Sequence, residues 1–162
     1  MILGMSTLTF VHTVLSLVAL ASGIVVLINL VSSRSSGWWT PLYLLTAVAT
    51  SVTGFGFPFD KLLPSHILGI LSLIVLAAVI VARYLFGMAG AWRWIYVVGI
   101  AISVYFDAFV AVVQAFLKIP ALHALAPSGA EPPFAVAQIA VLIAFLALAV
   151  AAILKFRPMA RA

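Results

Sequence analysis

Long apolar runs, separated by short segments rich in polar residues, glycine or proline, make up most of this chain. Five runs are close to or above the roughly 20 residues that an α-helix needs to cross about 30 Å of hydrocarbon. They predict five transmembrane helices, at residues 7–31, 38–57, 64–85, 92–117 and 133–156. The connections between them are short and leave no room for a soluble domain. The pattern therefore predicts an all-α, polytopic membrane protein: a single membrane domain over residues 1–162, folded as a five-helix bundle.

The first apolar run contains the triplet Ala19-Leu20-Ala21, which is similar to a signal-peptide cleavage site. Residues 1–11 carry no Lys or Arg, however, and the run continues past the triplet to Val31. We therefore expect this run to stay in the mature protein as a helix. No internal repeat is evident, and five spans do not divide into two equal halves, which argues against an inverted-repeat transporter.

Composition agrees with this class and excludes several others. Hydrophobic residues make up 67% of the chain and charged residues 7%, with a mean hydropathy of +1.36, whereas about a quarter of a soluble domain is charged. A water-soluble enzyme, a secreted disulfide scaffold and a disordered tail are therefore excluded. The chain has no cysteine, which rules out disulfides and thiolate metal sites. The net charge of +5 comes from scattered Lys and Arg residues and does not indicate nucleic-acid binding.

The basic residues are distributed unequally between the two sides of the predicted bundle. One side carries six of them: Arg34, Arg83, Arg93, Lys155, Arg157 and Arg161. The other side carries two basic and two acidic residues: Lys61, Lys118, Asp60 and Glu131. Because cytoplasmic loops are enriched in Lys and Arg, the six basic residues mark the cytoplasmic side. This predicts an N-terminus outside and a C-terminus in the cytoplasm.

Polar and small residues share one face on several of the predicted helices, and such faces are expected to point into a membrane bundle. On the fourth helix the polar positions lie within about 60° of one another; they are Tyr96, Ser103, Asp107, Gln114 and Lys118. The Ser, Thr and Gly positions are expected to serve ordinary helix packing. The ionisable and amide side chains are the better candidates for function.

A layer of polar side chains is predicted in the outer half of the membrane. At 1.5 Å per residue, His12, Gln114 and Gln138 lie about 5 to 8 Å below the outer boundary. His66 lies in the first turn of its helix, and two glycines at the end of the second helix allow close approach of a ligand. Asp107 lies deeper, near the midplane. The candidate ligand-binding residues are therefore His12, His66, Asp107, Gln114, Gln138, Gly54 and Gly56.

Asp107 is the one charged residue without a role in the predicted topology. An isolated aspartate at the midplane costs about 2.5 to 3.5 kcal/mol on insertion scales, and such residues usually face a cavity or a partner. No Lys or Arg lies at its depth, since Lys118 is about 16 Å away along the helix axis. We expect Asp107 to be protonated or hydrogen-bonded to a hydroxyl such as that of Thr46 or Thr50, because burial disfavours the charged form.

Two histidines from separate helices at similar depth are the usual axial ligands of haem b in membrane cytochromes, so His12 and His66 are the candidate axial pair. Quinone is the alternative cofactor, because it needs only an apolar slot and a hydrogen-bond donor such as His12, His66 or Gln114. A metal site built from His12, His66 and Asp107 has suitable ligand types. Their depths differ by a turn or more, however, so no metal is assigned.

Catalytic signatures are missing from the sequence, which lacks G-x-S-x-G, H-E-x-x-H, G-x-G-x-x-G and the P-loop. The nearest pair of nucleophile and base is Ser16 and His12, four residues apart on one helix. A serine in that position more often bonds the backbone of its own helix. We therefore assign no catalytic residue and expect a protein that is not an enzyme.

Parts of the C-terminal two thirds of the chain resemble a group of small, uncharacterised bacterial inner-membrane proteins. The resemblance lies in the segments SHILG (65–69), WRWIYV (92–97), VVQAFLKIPAL (112–122), ALAP (124–127) and EPPF (131–134). It implies a bacterial inner-membrane location but no particular activity. In similar sequences we expect asparagine at the position of Asp107, which argues against an obligate proton-carrying role.

The leading hypothesis is a non-enzymatic integral protein of the bacterial cytoplasmic membrane. It serves as an accessory subunit of a larger membrane complex, or as a small homo-oligomer, and binds an apolar ligand or a lipid in a pocket of the outer half. The lipid bilayer is an expected partner and nucleic acid is not. The alternatives are a haem b or quinone protein that uses His12 and His66, and an ion or small-solute path that uses Asp107.

Overall fold

The computed structural model describes residues 6–34, 36–57 and 64–158, and every regular element in these ranges is a helix. The helices are α1 (Thr7–Val31), α2 (Trp39–Gly54), α3 (Pro64–Ile80), α4 (Trp92–Lys118), α5 (Pro120–His123) and α6 (Pro132–Lys155). The predicted all-α class is therefore confirmed for the described residues. Three charged residues used to predict the topology lie outside them: Asp60, Lys61 and Arg161.

Four helical segments are long and apolar enough to cross a membrane: Thr7–Val31, Ser65–Leu85, Trp92–Lys118 and Pro132–Lys155. The second of these includes a π-helical turn, Val81–Leu85, which continues α3. The four match the predicted first, third, fourth and fifth spans to within one or two residues at each end. These apolar segments agree with the membrane class that composition indicates.

The second helix is shorter than predicted. α2 ends at Gly54 rather than at Phe57, and its 16 residues rise about 24 Å. Phe55 and Gly56 form a hydrogen-bonded turn after the helix. The apolar run continues through aromatic residues there, so hydropathy stays high past the point at which the glycines favour a turn. Hydropathy alone therefore overestimates the length of this helix.

Proline and serine set the beginnings of other helices. Ser6 caps α1, because its hydroxyl accepts a hydrogen bond from the N–H of Thr9 at 3.1 Å. Pro120 begins α5 and Pro132 begins α6, at a position where the missing N–H leaves no helical hydrogen bond unmade. The short helix α5 lies within the segment that the sequence treats as a connection, so proline there starts a helical turn as well as ending α4.

Helices α1 to α4 form a four-helix ring in which each helix packs against its neighbours in sequence, and α4 closes the ring on α1. α1 and α3 therefore lie at opposite corners, as do α2 and α4. α6 lies outside the ring in the groove between α1 and α4, and Ala152 is its only buried residue. α4 buries more residues than any other helix, which makes it the centre of the structure.

Two glycines allow the closest helix contacts in the ring. A Cβ atom on Gly23 of α1 would lie 2.7 Å from a methyl group of Val104 and 2.8 Å from the ring of Tyr43. A Cβ atom on Gly99 of α4 would overlap the side chain of Val79 on α3. Small residues at such positions let helix backbones approach, as is usual in membrane bundles.

Candidate functional site

The two ends of the ring differ in chemistry. At the first, here called the arginine end, α1 and α3 finish and α2 and α4 begin, beside Arg34, Arg83 and Arg93. At the second, here called the histidine end, α1 and α3 begin, and the side chains of His12 and His66 lie near the end of α2. The candidate residues from the sequence all lie between the middle of the ring and the histidine end.

In the half of the ring near the arginine end, polar side chains are paired across the centre. The Tyr43 hydroxyl donates to Ser103 Oγ at 2.7 Å, joining the opposite helices α2 and α4. Thr40 Oγ1 lies 3.5 Å from the Tyr96 hydroxyl, which also accepts a hydrogen bond from Arg83 at 3.3 Å. This half of the interior is therefore a completed hydrogen-bond network.

The same pairs fix the register of α2 against α4, which run in the same direction. Thr40 and Tyr96 are 56 positions apart in sequence, and Tyr43 and Ser103 are 60 apart. Adding these offsets to residue number 50 gives residues 106 and 110, so Thr50 lies level with that part of α4. Thr50 and Asp107 therefore lie at about the same height in the ring, on opposite helices.

One side-chain oxygen of Thr50 and one of Asp107 lack a hydrogen-bond partner in the described chain at this level. The Thr50 Oγ1 and Asp107 Oδ2 atoms are buried and make no hydrogen bond to the described residues. The expected bond from Asp107 to Thr46 or Thr50 is thus absent. The Thr46 hydroxyl donates to the backbone of its own helix, with Leu42 O at 2.8 Å, as hydroxyls in helices often do.

Gln138 of α6 is also only half satisfied. Its Nε2 donates to the carbonyl oxygen of Phe109 on α4 at 3.2 Å, whereas its buried Oε1 makes no hydrogen bond within the described chain. Gln138 therefore fastens α6 to α4 but does not lie in the ring between α1, α2, α3 and α4. The prediction that it points to the interior is correct only for the α4–α6 interface.

His12 joins α1 to the last turn of α2. Its Nδ1 lies 2.9 Å from Thr53 Oγ1, and the same hydroxyl lies 2.8 Å from the carbonyl oxygen of Ala49. In the arrangement in which this hydroxyl donates its one proton to Ala49, His12 Nδ1 donates to Thr53, and the lone pair on Nε2 is left unused by this contact.

His66 lies on the other side of the same turn. It is buried on α3, and its ring lies against Phe55, with the centroids 5.7 Å apart. Gly69 leaves room for the Phe55 ring, since a Cβ atom there would lie 3.3 Å from Phe55 Cζ. His12 and His66 thus occupy opposite helices of the ring, with residues that end α2 in contact with both.

The glycines of this turn lie beside α1. A Cβ atom on Gly54 would lie 3.6 Å from His12 Cε1, and one on Gly56 would lie 3.3 Å from the side chain of Leu8. The ring of Phe57 meets that of His12 edge to face at 5.2 Å. Of the predicted layer, the structure brings His12, Gly54 and Gly56 together.

Gln114 departs from the prediction, because its side chain is exposed. The helix periodicity correctly gives it nearly the direction of Asp107, seven residues earlier. The register places the end of α2 at Gly54, level with residues 110 to 114 of α4. Gln114 thus lies at the level where α2 ends. The four predicted His and Gln side chains therefore do not form one layer facing a common interior.

Metal ligands do not cluster in the described part of the chain, where no group of three or more His, Asp or Glu residues is arranged to hold an ion. In the loop before α6, the Glu131 carboxylate accepts hydrogen bonds from the hydroxyl and N–H of Ser128 and from the N–H of Ala130. These bonds, the Ser128 hydroxyl first, lower the pKa of Glu131. Glu131 thus orders its own loop.

Comparison of the chain with known protein families, with characterised proteins and with solved structures finds no match.

Proposed function

We propose that the chain crosses the bacterial cytoplasmic membrane five times, with the N-terminus outside and the C-terminus in the cytoplasm. The contacts of α2 support a fifth crossing in spite of its short length. Thr40, at its beginning, lies at the arginine end beside Tyr96, and Thr53, at its end, bonds His12. The orientation follows from the arginines, which gather at one end of the ring.

We further propose that the protein is a non-enzymatic binding protein or accessory subunit that holds a small ligand between α2 and α4. One observation carries this proposal: the buried Thr50 Oγ1 and Asp107 Oδ2 atoms lack hydrogen-bond partners in the described chain, and the register of α2 against α4 places the two residues at about the same height. An unsatisfied buried polar group costs about 1 to 3 kcal/mol. The other half of the ring pairs its polar groups, so the unpaired oxygens mark a place where a bound group supplies the missing hydrogen bonds.

The ligand expected there has an apolar body and at least one hydrogen-bonding group. The polar group is needed to pair with the Thr50 hydroxyl and with the Asp107 carboxyl, which donates as well as accepts when it is protonated. The apolar body is needed because the surrounding walls are membrane helices. A lipid, or a small lipid-soluble molecule with a hydroxyl or amine group, satisfies both requirements.

Native mass spectrometry of the protein, purified in mild detergent from its own membranes, tests this proposal. The wild type is expected to carry a non-covalent ligand mass that Thr50→Val and Asp107→Leu lose. Thr46→Val is the matched control, because the Thr46 hydroxyl already bonds its own helix. If Thr50→Val and Thr46→Val give the spectrum of the wild type, and Thr50→Val unfolds at higher temperature, the site is empty and the proposal is wrong.

A second candidate, haem b binding, is favoured by the hydrogen bond of His12. Donation from Nδ1 to Thr53 leaves the Nε2 lone pair for iron, and a fixed partner on the other nitrogen is the usual arrangement for a histidine ligand. The same lone pair is unsuited to quinone, whose carbonyl oxygens need donors. His66 is the axial partner in this alternative.

An absorption spectrum of the purified protein tests whether it binds haem b. Haem bound by both histidines predicts a Soret band in the purified protein, or after addition of haemin, that His12→Ala and His66→Ala each remove. Thr53→Val is expected to weaken haem binding by about tenfold, the lower part of the range for losing a hydrogen bond to a ligand. A preparation that stays colourless with haemin excludes haem.

A further inference from the structure

A cavity of about 140 Å³ opens at the arginine end, on the side of the ring where α1, α3 and α6 finish. Its lining includes Ser33, Arg34, Arg83, Met88, Tyr96 and Arg157. One water molecule takes up roughly 30 Å³ in the liquid, so the cavity has room for a small polyatomic group. The candidate site between Thr50 and Asp107 lies elsewhere, toward the middle of the ring.

Three arginines, Arg34, Arg83 and Arg157, are among the residues that line this cavity, and none of the described lining residues is acidic. The structure describes two of the chain's three acidic residues. Of these two, Glu131 lies at the histidine end, and Asp107 is eleven positions from Tyr96, about 16 Å along α4. Three like charges that converge without a carboxylate repel one another. An anion in the cavity removes that repulsion.

Hydrogen-bond donors are available on the same walls. Ser33 Oγ accepts the N–H of Arg157 at 3.1 Å, which leaves the proton of its hydroxyl free to donate. Arg83 donates one N–H to the Tyr96 hydroxyl at 3.3 Å, and a guanidinium has five N–H donors. Arginine and hydroxyl donors with an apolar floor, here Leu30 and Phe156, suit an oxyanion attached to an apolar body.

The backbone around the cavity is unusual at three places. Ser33 and Met88, the two non-glycine residues with positive φ in the described chain, at 50° and 60°, both line it. Arg83 projects from the π-helical turn that ends α3. Left-handed non-glycine residues and π-turns are disfavoured and recur at functional sites. Here they turn three separate segments toward the same cavity.

Exposed tryptophans lie at the same end of the ring as the cavity. Trp38 and Trp94, at the same end, are 61% and 45% exposed, as expected of tryptophans at a membrane–water interface. Basic pockets between helices on the cytoplasmic side are suited to anionic headgroups.

We propose that the cavity lined by Arg34, Arg83 and Arg157 is a binding site for a phosphate group. The phosphate is supplied by an anionic lipid of the adjacent leaflet or by a soluble phosphate compound. The arginine forks bind its oxygens, and the Ser33 hydroxyl donates to one of them.

The test uses the full-length protein in neutral detergent and measures the thermal unfolding temperature during two titrations. One adds phosphatidylglycerol, with phosphatidylcholine as the neutral reference. The other adds inorganic phosphate, with chloride at equal ionic strength as the reference. Arg34→Gln removes one exposed guanidinium from the lining. Lys155→Gln is the matched control, because it removes one exposed positive charge near the same end but outside the cavity.

Saturable stabilisation by phosphatidylglycerol but not by inorganic phosphate identifies a lipid headgroup, and saturable stabilisation by inorganic phosphate identifies a soluble ligand. In either case Arg34→Gln is expected to weaken binding by about tenfold, as for loss of one charge-assisted contact, while Lys155→Gln changes it less than about twofold. The proposal is overturned if neither titration saturates. It is also overturned if both variants weaken binding equally, because the effect is then a diffuse surface charge.

Discussion

Gly99 of α4 lies directly against Val79 of α3, so closely that a Cβ atom on the glycine would overlap a methyl group of the valine. Both residues are buried, and they join the two helices where the ring is tightest. α4 carries Asp107 of the site proposed between α2 and α4 and Tyr96 of the arginine cavity, and the π-turn that continues α3 carries Arg83. The contact therefore helps to position α4, which contributes to both sites.

Gly99→Ala is expected to destabilise the protein by about 1 to 3 kcal/mol, because overpacking forces α3 and α4 apart. Val79→Ala in the same chain should restore most of the loss by making room for the new methyl group. Gly54→Ala is the control, since a Cβ atom there would make only an ordinary contact with His12. Reversible unfolding in detergent measures all four proteins. Equal stability of Gly99→Ala and the wild type would contradict the packing.

The hydrogen bond between His12 and Thr53 predicts which nitrogen of the imidazole carries the proton. In ¹⁵N NMR spectra of the ligand-free protein near neutral pH, Nδ1 of His12 should have the shift of a protonated nitrogen and Nε2 that of an unprotonated one. Thr53→Val should remove the preference, whereas Thr13→Val should keep it, because Thr13 bonds its own helix. The opposite pattern of shifts in the wild type would show that Thr53 donates to the ring.

A binding site between Thr50 and Asp107 predicts no continuous conduction. Proteoliposomes with the wild type should show proton and potassium flux at the level of protein-free liposomes, and Asp107→Asn should not change it. A wild-type flux well above that level, and lost in Asp107→Asn, would instead establish the permeation alternative. Asparagine has nearly the same volume as aspartate, so the comparison tests the ionisable group rather than packing.

The hydrogen bonds of Glu131 predict that the stability of the loop before α6 depends on pH, and that this dependence is confined to the loop. Because hydrogen bonds from Ser128 and Ala130 lower the pKa of Glu131 in the folded chain, they stabilise the loop above the ordinary pKa of glutamate. That stabilisation is lost as the pH falls through the lowered pKa. Amide hydrogen exchange at Ser128 and Ala130 should therefore lose its protection at acid pH, after correction for the intrinsic rate. In Glu131→Gln, protection that is already weak at neutral pH and independent of pH is expected; wild-type protection in this variant would contradict the assignment.

Much of the fold is predictable from apolar run length, because each long helix is bounded by a capping serine, a proline or a basic residue. Hydropathy fails at α2, where Phe55 and Phe57 keep the run apolar although the helix has ended at Gly54. The register between helices depends on how they pack in the folded protein, and it determines which side chains face a neighbouring helix. Periodicity therefore gives Gln114 nearly the direction of Asp107, but only the structure shows that the Gln114 side chain is exposed.

The candidate site was partly predictable for the same reason. The pattern identifies His12 and Asp107 as unusual intramembrane residues, but it does not identify Thr53 as the partner of His12, nor Thr50 as level with Asp107. The arginine cavity was not predicted at all. In the sequence, its arginines serve only to predict the orientation of the chain. They come together through a π-turn and two residues in the left-handed conformation, and neither of those two residues is a glycine, which would have indicated that conformation.

The side of the membrane on which each loop lies tests the five-span arrangement most directly, and the chain offers a clean assay because it contains no cysteine. Single variants Ser6→Cys, Ala89→Cys and Ala124→Cys place a thiol at exposed positions before α1, after α3 and after α4. In intact cells, a membrane-impermeant maleimide should label the cysteines at 6 and 124 and reach the one at 89 only after lysis. If α2 does not cross, positions 6 and 124 lie on opposite sides. Labelling of only one of them in intact cells would contradict the arrangement.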